Sequence, residues 1–186
     1  MTFASSIRSS TILLKVVLSI VLVSFILAWI SFVTASWGDG YSSNSLLGYG
    51  LWRRCNDIET NLACVNIEGW NLHWYRAVQA FAIFGFVSVN FCLFFVLLLM
   101  FVESCSKGRS LSLWVSVLGF WSALSYAVAI IVFAGSFDSS FTDAASPNQH
   151  LEYGWGLAIV VAVLQIFVGA LMIFESRNTG AKFMDL

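Results

Sequence analysis

The sequence predicts an all-α membrane protein with a small β portion: four spanning helices and an antiparallel sheet built on the first loop. Three observations point to that class. The chain contains four long apolar runs; 59% of its residues are hydrophobic and only 10% charged; its one long hydrophilic interval is rich in glycine and holds two of its four cysteines. An ordinary soluble domain carries about 25% charged residues. At this length the bilayer therefore takes the place of a large core, and residues 1–186 read as a single membrane domain.

Residues 1–10 form a short polar amino end containing Arg8. Residues 11–34 form the first span, whose apolar part from Val16 to Thr34 is long enough, at about 1.5 Å per residue, to cross roughly 30 Å of hydrocarbon. A cleaved signal has an apolar stretch of roughly 7–15 residues. This run is longer and reads as a retained helix. Residues 35–76 are polar and punctuated by Gly38, Gly40, Gly48, Gly50 and Gly69, with β-compatible pieces between them, which predicts a small sheet with tight turns. Residues 77–102 carry no charge and only Gln79 and Asn90 as strongly polar groups, giving a second span longer than the hydrocarbon requires. A turn at 103–110, a third span at 111–134, a second outer loop at 135–154, a fourth span at 155–174 and a tail at 175–186 complete the chain.

Orientation follows from the basic residues. Arg8 and Lys15, Lys107 and Arg109, and Arg177 and Lys182 mark the amino end, the turn and the tail, whereas Arg53, Arg54 and Arg76 all lie in the first loop. The positive-inside rule then places both termini in the cytoplasm and the cysteine-containing loop outside. Trp37, Trp74, Tyr75, Tyr153 and Trp155 fall at the outer ends of spans, where aromatic rings favour the headgroup layer. Small residues recur every four positions at Gly119, Ala123 and Ala127 and at Gly154, Ala158 and Ala162, a spacing that brings membrane helices close, so both stripes are expected to be bundle contacts.

Catalysis or coupled transport in the membrane needs ionisable groups at depth. The four spans offer none, Lys15 sitting at the cytoplasmic edge. His73 and His150 stand in different loops without ligand spacing around them, so no metal and no cofactor is predicted. No Ser-His-Asp order, phosphate-binding glycine loop or basic nucleic-acid patch occurs, and no catalytic residue is assigned. Cys55 and Cys64 are the two cysteines on the outer, oxidising face, where an even pair normally closes into a disulfide. Cys105 follows the second span on the inner side and is a candidate S-acylation site, with a plain free thiol the equal alternative.

Trp37, then Gly50-Leu51-Trp52, Cys55 and Cys64, resemble the W, GLW, C, C pattern of the claudin superfamily. That superfamily includes claudins, peripheral myelin and epithelial membrane proteins, the lens fibre membrane protein and channel gamma-type subunits. The stretch Trp74-Tyr75-Arg76-Ala77-Val78-Gln79-Ala80-Phe81 is similar to the entry of the family's second helix, and Tyr153-Gly154-Trp155 to that of its fourth. The resemblance covers essentially the whole chain. It implies a left-handed four-helix bundle capped by an extracellular antiparallel sheet, with one strand donated by the second loop. In that reading Trp37 and Trp52 anchor the sheet on the helix ends, Gly50 and Leu51 complete the motif, and Arg76 hydrogen-bonds loop carbonyls at the membrane surface. Val65 and Asn66 follow Cys64 where charge-selective claudins place a charge, so an ion-selective pore is not expected there.

The second loop is expected to expose Phe137 and Phe141, as anchors for a partner or, equally, as rings dipping into the headgroup layer. The terminal Met184-Asp185-Leu186 offers apolar groups at the last and third-last positions, a pattern that fits a PDZ groove. Two functions follow from the resemblance. One is a junctional or adhesion protein of cell borders that self-associates within and across membranes and forms or regulates a paracellular barrier. The other is an auxiliary subunit of a channel or receptor. Neither is an enzyme.

Overall fold

A helix lying in hydrocarbon cannot be sorted into inside and outside by polarity, so its packing face is marked by residue size and spacing. The computed structural model describes residues 10–42, 45–58, 61–67, 72–102, 109–141 and 150–184. It contains four helices long and apolar enough to cross a membrane: α1 (Ile12–Val33), α2 (His73–Phe101), α3 (Arg109–Phe141) and α4 (Tyr153–Met184). On α1 the buried positions are Leu14, Val17, Val21, Ser24, Ala28 and Ser31. Those on α2 include Tyr75, Val78, Ala82, Gly85, Val89, Cys92, Val96 and Leu99. Both sets advance in alternating steps of three and four, the 3.5-residue period of a left-handed crossing.

Each of α1 and α3 packs on both α2 and α4, so the four helices close into a ring. Close approach of α3 to α4 depends on Gly119, where an added Cβ would lie 3.0 Å from the Gln165 carbonyl oxygen and 3.1 Å from the Gly169 nitrogen. Nearby, Ser116 Oγ donates to the Gly169 carbonyl at 2.9 Å, and Ser122 Oγ donates to that of Gly85 on α2 at 3.0 Å. Both small-residue stripes thus lie against the bundle, except that Ala127 is only half-buried. At the opposite end from the sheet, Thr11 caps α1 by accepting from the Leu14 N–H, and its hydroxyl donates to Glu175 Oε1 at 2.8 Å.

The sheet has five antiparallel strands: β1 (Gly38–Ser42), β2 (Ser45–Tyr49), β3 (Arg53–Ile58), β4 (Asn61–Asn66) and β5 (His150–Leu151), in the order β4-β3-β2-β1-β5. The second loop donates β5, which pairs Leu151 with Gly38 and His150 with Asp39. Asp39 Oδ1 also accepts from the His150 N–H at 2.9 Å. Cys55 and Cys64 stand opposite each other on β3 and β4 and form a disulfide across a sequence separation of nine. Replacing both with serine is expected to cost roughly 2.5–3 kcal/mol in the loop-entropy account. Thermal unfolding in detergent, with and without reductant, checks it: the parent midpoint should fall on reduction and the double variant's should not move.

The helices run further than the polarity of the sequence indicated. α2 starts at His73 instead of 77, α3 extends past 134 to Phe141, and α4 continues beyond 174 to Met184. Polarity marks where hydrocarbon ends, whereas helical hydrogen bonds continue into the interfacial layer, where charged side chains remain solvated.

Candidate functional site

The chain leaves α1 at Thr34 in an extended conformation and within a few residues must enter a sheet without leaving buried backbone groups unpaired. Trp37 solves that turn. Its backbone N–H donates to the Tyr49 carbonyl at 2.8 Å and its carbonyl accepts from the Glu152 N–H at 3.1 Å. Its indole Nε1–H reaches back to the Ser31 carbonyl at 2.8 Å, and its ring meets Phe133 of α3 edge-on, with centroids 5.3 Å apart. The residue is fully buried.

Between β2 and β3, Gly50-Leu51-Trp52 forms an elbow that lies on the helix ends. The Gly50 carbonyl accepts from the Tyr75 hydroxyl, and the Leu51 carbonyl from Gln79 Nε2 at 2.7 Å. Tyr75 and Gln79 stand four residues apart, on one face of α2. Trp52 rests on Phe32 of α1, with centroids 5.1 Å apart, and its carbonyl accepts from the Ile67 N–H at 2.9 Å. Arg53 Nη2 donates to the Val33 carbonyl at the end of α1 at 3.3 Å.

The fourth helix enters beside the first. The Gly154 N–H donates to the Ser36 carbonyl at 2.8 Å, Ser31 Oγ donates to the Gly154 carbonyl at 2.7 Å, and the Thr34 and Tyr153 hydroxyls pair at 2.8 Å. α1, α2 and α3 therefore hold the sheet and its linkers through Phe32, Tyr75, Gln79, Phe133 and Phe137, while α4 ties to the linker before β1 through the Gly154 backbone. These groups are hydrogen-bond donors, acceptors and packed rings, an arrangement that mounts the sheet rigidly. Among the described residues, no three His, Cys, Asp or Glu side chains are grouped to hold a metal ion.

Two expectations are corrected. Phe137 is not exposed on the second loop: it lies on α3, 1% exposed, stacked on Phe133 at 5.0 Å and edge-on to Tyr49 at 5.5 Å. Its ring fills the space under Gly38 of β1, because Phe133 and Phe137 share one helical face and both turn toward the sheet. Trp37 and Tyr75 likewise point into the protein, not the headgroup layer, whereas Tyr153 is exposed.

The structure brings Trp37, Gly50, Leu51 and Trp52 together at the sheet–bundle junction. Among the described residues, the exposed Arg76 guanidinium meets His73 Nδ1, while the loop carbonyls are held by Tyr75 and Gln79. Phe141 ends α3, and Met184 is the last helical residue of α4, so presenting it as a strand requires unwinding that end. Cys105 and Leu186 lie outside the described residues. The sequence assigned no role to Gln79, Ser31 or Phe133, and gave Tyr75 only a place in the outer aromatic belt. A signal did exist for Gln79, since a glutamine in an apolar span needs a partner and Tyr75 stands one helical turn before it.

The family model for the PMP-22/EMP/MP20/Claudin family matches residues 10–172. Among curated proteins, none matches the chain.

Proposed function

The chain belongs to the PMP-22/EMP/MP20/Claudin family, and from that premise we propose that it is a multi-pass protein of cell–cell contacts. Its outer sheet takes part in adhesion and in forming or regulating a paracellular barrier. The observation that carries this reading is the rigid mount: α1, α2 and α3 hold the sheet and its linkers through Trp37, the Gly50–Trp52 elbow, and Phe133 with Phe137, and α4 closes on the linker before β1 at Gly154. A sheet fixed in this way presents a defined surface, with Arg53, Arg54 and Val65 exposed on it. Pre-organisation lowers the entropic cost of recognition. The disulfide fits the oxidising outer face, with both termini cytoplasmic. Phe141 and the terminal Met184 and Leu186 are the remaining partner contacts in this reading, the latter pair for a PDZ scaffold, and Cys105 is the candidate acylation site.

One observation favours a second reading, an auxiliary subunit of a channel or receptor. A lipid-facing groove of 540 Å³ runs between α3 and α4, lined by apolar residues that include Ala123, Ala127, Ala162 and Trp155. An apolar helix of a larger membrane protein fits such a groove.

Expressing a tagged chain in cells that lack junctional strands, mixed with non-expressing cells, tests the first reading. Enrichment confined to borders between two expressing cells is the expected result. Uniform distribution, with a channel or receptor co-purifying from native membranes, would replace it with the second.

A further inference from the structure

Asn90 stands alone as an amide on the outward side of α2. It lies about 4.5 Å of helical rise past Val87, the middle residue of His73–Phe101, and so sits near mid-membrane. With Phe86, Val87, Phe91 and Phe94 it lines an open groove of 390 Å³. Its Nδ2 donates to the Phe86 carbonyl at 2.7 Å. That leaves its second N–H and its Oδ1 without a partner among the described residues. Acyl chains offer neither a donor nor an acceptor, so the group is costly where it stands unless another protein meets it.

The residues around it are ordered. Ile83, Val87, Asn90, Phe94 and Leu97 advance in steps of four, three, four and three, and the four apolar members are exposed. This is a second 3.5-residue seam, on the opposite side of α2 from the one that packs in the bundle, and its central position is polar. A lone asparagine in such a seam fixes register and oligomeric state by pairing with itself. The occupant follows from symmetry. Copies inserted in one membrane in the same sense relate by a two-fold axis along the membrane normal, which sets each residue of a seam opposite its own copy. An amide with one free donor and one free acceptor is complementary to itself in that arrangement.

We propose that α2 carries a homotypic interface within the membrane, in which the outer seams of two copies pack together and their Asn90 amides exchange hydrogen bonds. The interface is lateral and does not rest on the junctional reading. It also leaves the α3–α4 groove free.

The test uses the full-length protein in phosphatidylcholine vesicles, labelled for energy transfer and diluted stepwise in lipid. Asn90→Leu keeps the seam apolar and is expected to weaken self-association about 5- to 30-fold, the range of one interhelical amide bond, with an unchanged thermal unfolding midpoint. Oxidative cross-linking on a Cys105→Ser background gives an independent readout. Val87→Cys and Phe94→Cys should form disulfide-linked dimers, and Ile131→Cys and Val163→Cys beside the α3–α4 groove should not. Undiminished association of folded Asn90→Leu would overturn the proposal, as would energy transfer that vanishes on first dilution or cross-links forming only at Ile131 and Val163. Should Asn90→Leu prove unstable, the cysteine series decides, and failure of both seam positions to cross-link rejects the interface.

Discussion

Gly50→Ala is expected to unseat the sheet from the bundle. The added methyl would lie 2.2 Å from the Thr34 carbonyl oxygen and 2.5 Å from the Ala35 Cα, both main-chain atoms. Neither side is free to yield. Thr34 is tied to α1 by its N–H to the Ile30 carbonyl at 3.1 Å and to α4 through the Tyr153 hydroxyl. Gly50 is tied by its N–H to the Arg53 carbonyl at 2.9 Å and by its own carbonyl to Tyr75. Overpacking typically costs about 1–3 kcal/mol, and a clash with pinned backbone belongs at the top of that range. Displacing the elbow also breaks the buried Tyr75 bond, which adds about 1–3 kcal/mol for the group left unpaired. The measurement is the thermal unfolding midpoint in detergent together with delivery to the cell surface. Gly156→Ala is the matched control: the position is helical with nothing within 4 Å of the new methyl, so it should gain about 0.5–1 kcal/mol from helix propensity. Equal midpoints for the two variants would reject the elbow's role.

The elbow also shows how far the sequence carries. Gly50-Leu51-Trp52 is visible as a motif, and its glycine is required for a spatial reason that no local pattern states: the atoms it must avoid are on α1, at Thr34 and Ala35. The spans were readable because an apolar run of membrane length has few other uses, and the Cys55–Cys64 pair because two cysteines share one polar loop. Helix ends were not readable. Gly135, Ser136, Asp138, Ser139 and Ser140 look like a loop, yet α3 runs through them, because Phe133 and Phe137 gain more by stacking under the sheet than the small polar residues lose in helix propensity. The same limit explains Arg76. The resemblance pointed to it as the group for loop carbonyls; among the described residues the neutral Tyr75 and Gln79 point inward from α2 and take those of Gly50 and Leu51, with Arg76 exposed beside His73. Which face of a helix meets a loop depends on rotation about the helix axis, and a span apolar all round does not encode that rotation in its hydrophobicity.

Trp37→Ala is expected to have an effect of similar size by the opposite route, removal instead of intrusion. The side chain is fully buried, and truncating a buried tryptophan costs about 3–5 kcal/mol through lost packing and the cavity left behind. The hole would open beside Phe133, whose stack with Phe137 supports β1 and β2 from below. Trp37→Phe narrows the difference, because phenylalanine keeps a ring against Phe133 and loses the bond from indole Nε1 to the Ser31 carbonyl together with the volume of the second ring. That bond is expected to contribute about 0.5–1.5 kcal/mol, so Trp37→Phe should lie nearer the parent than Trp37→Ala. Hydrogen exchange locates the damage: in Trp37→Ala, protection should fall in β1, β2 and β5 before it falls in the spans, whose backbone bonds are shielded by hydrocarbon. If the strands keep parental protection while the spans lose theirs, Trp37 acts on the bundle and not on the sheet. The mount would then rest on the Gly50 elbow, Phe133 with Phe137, and Gly154.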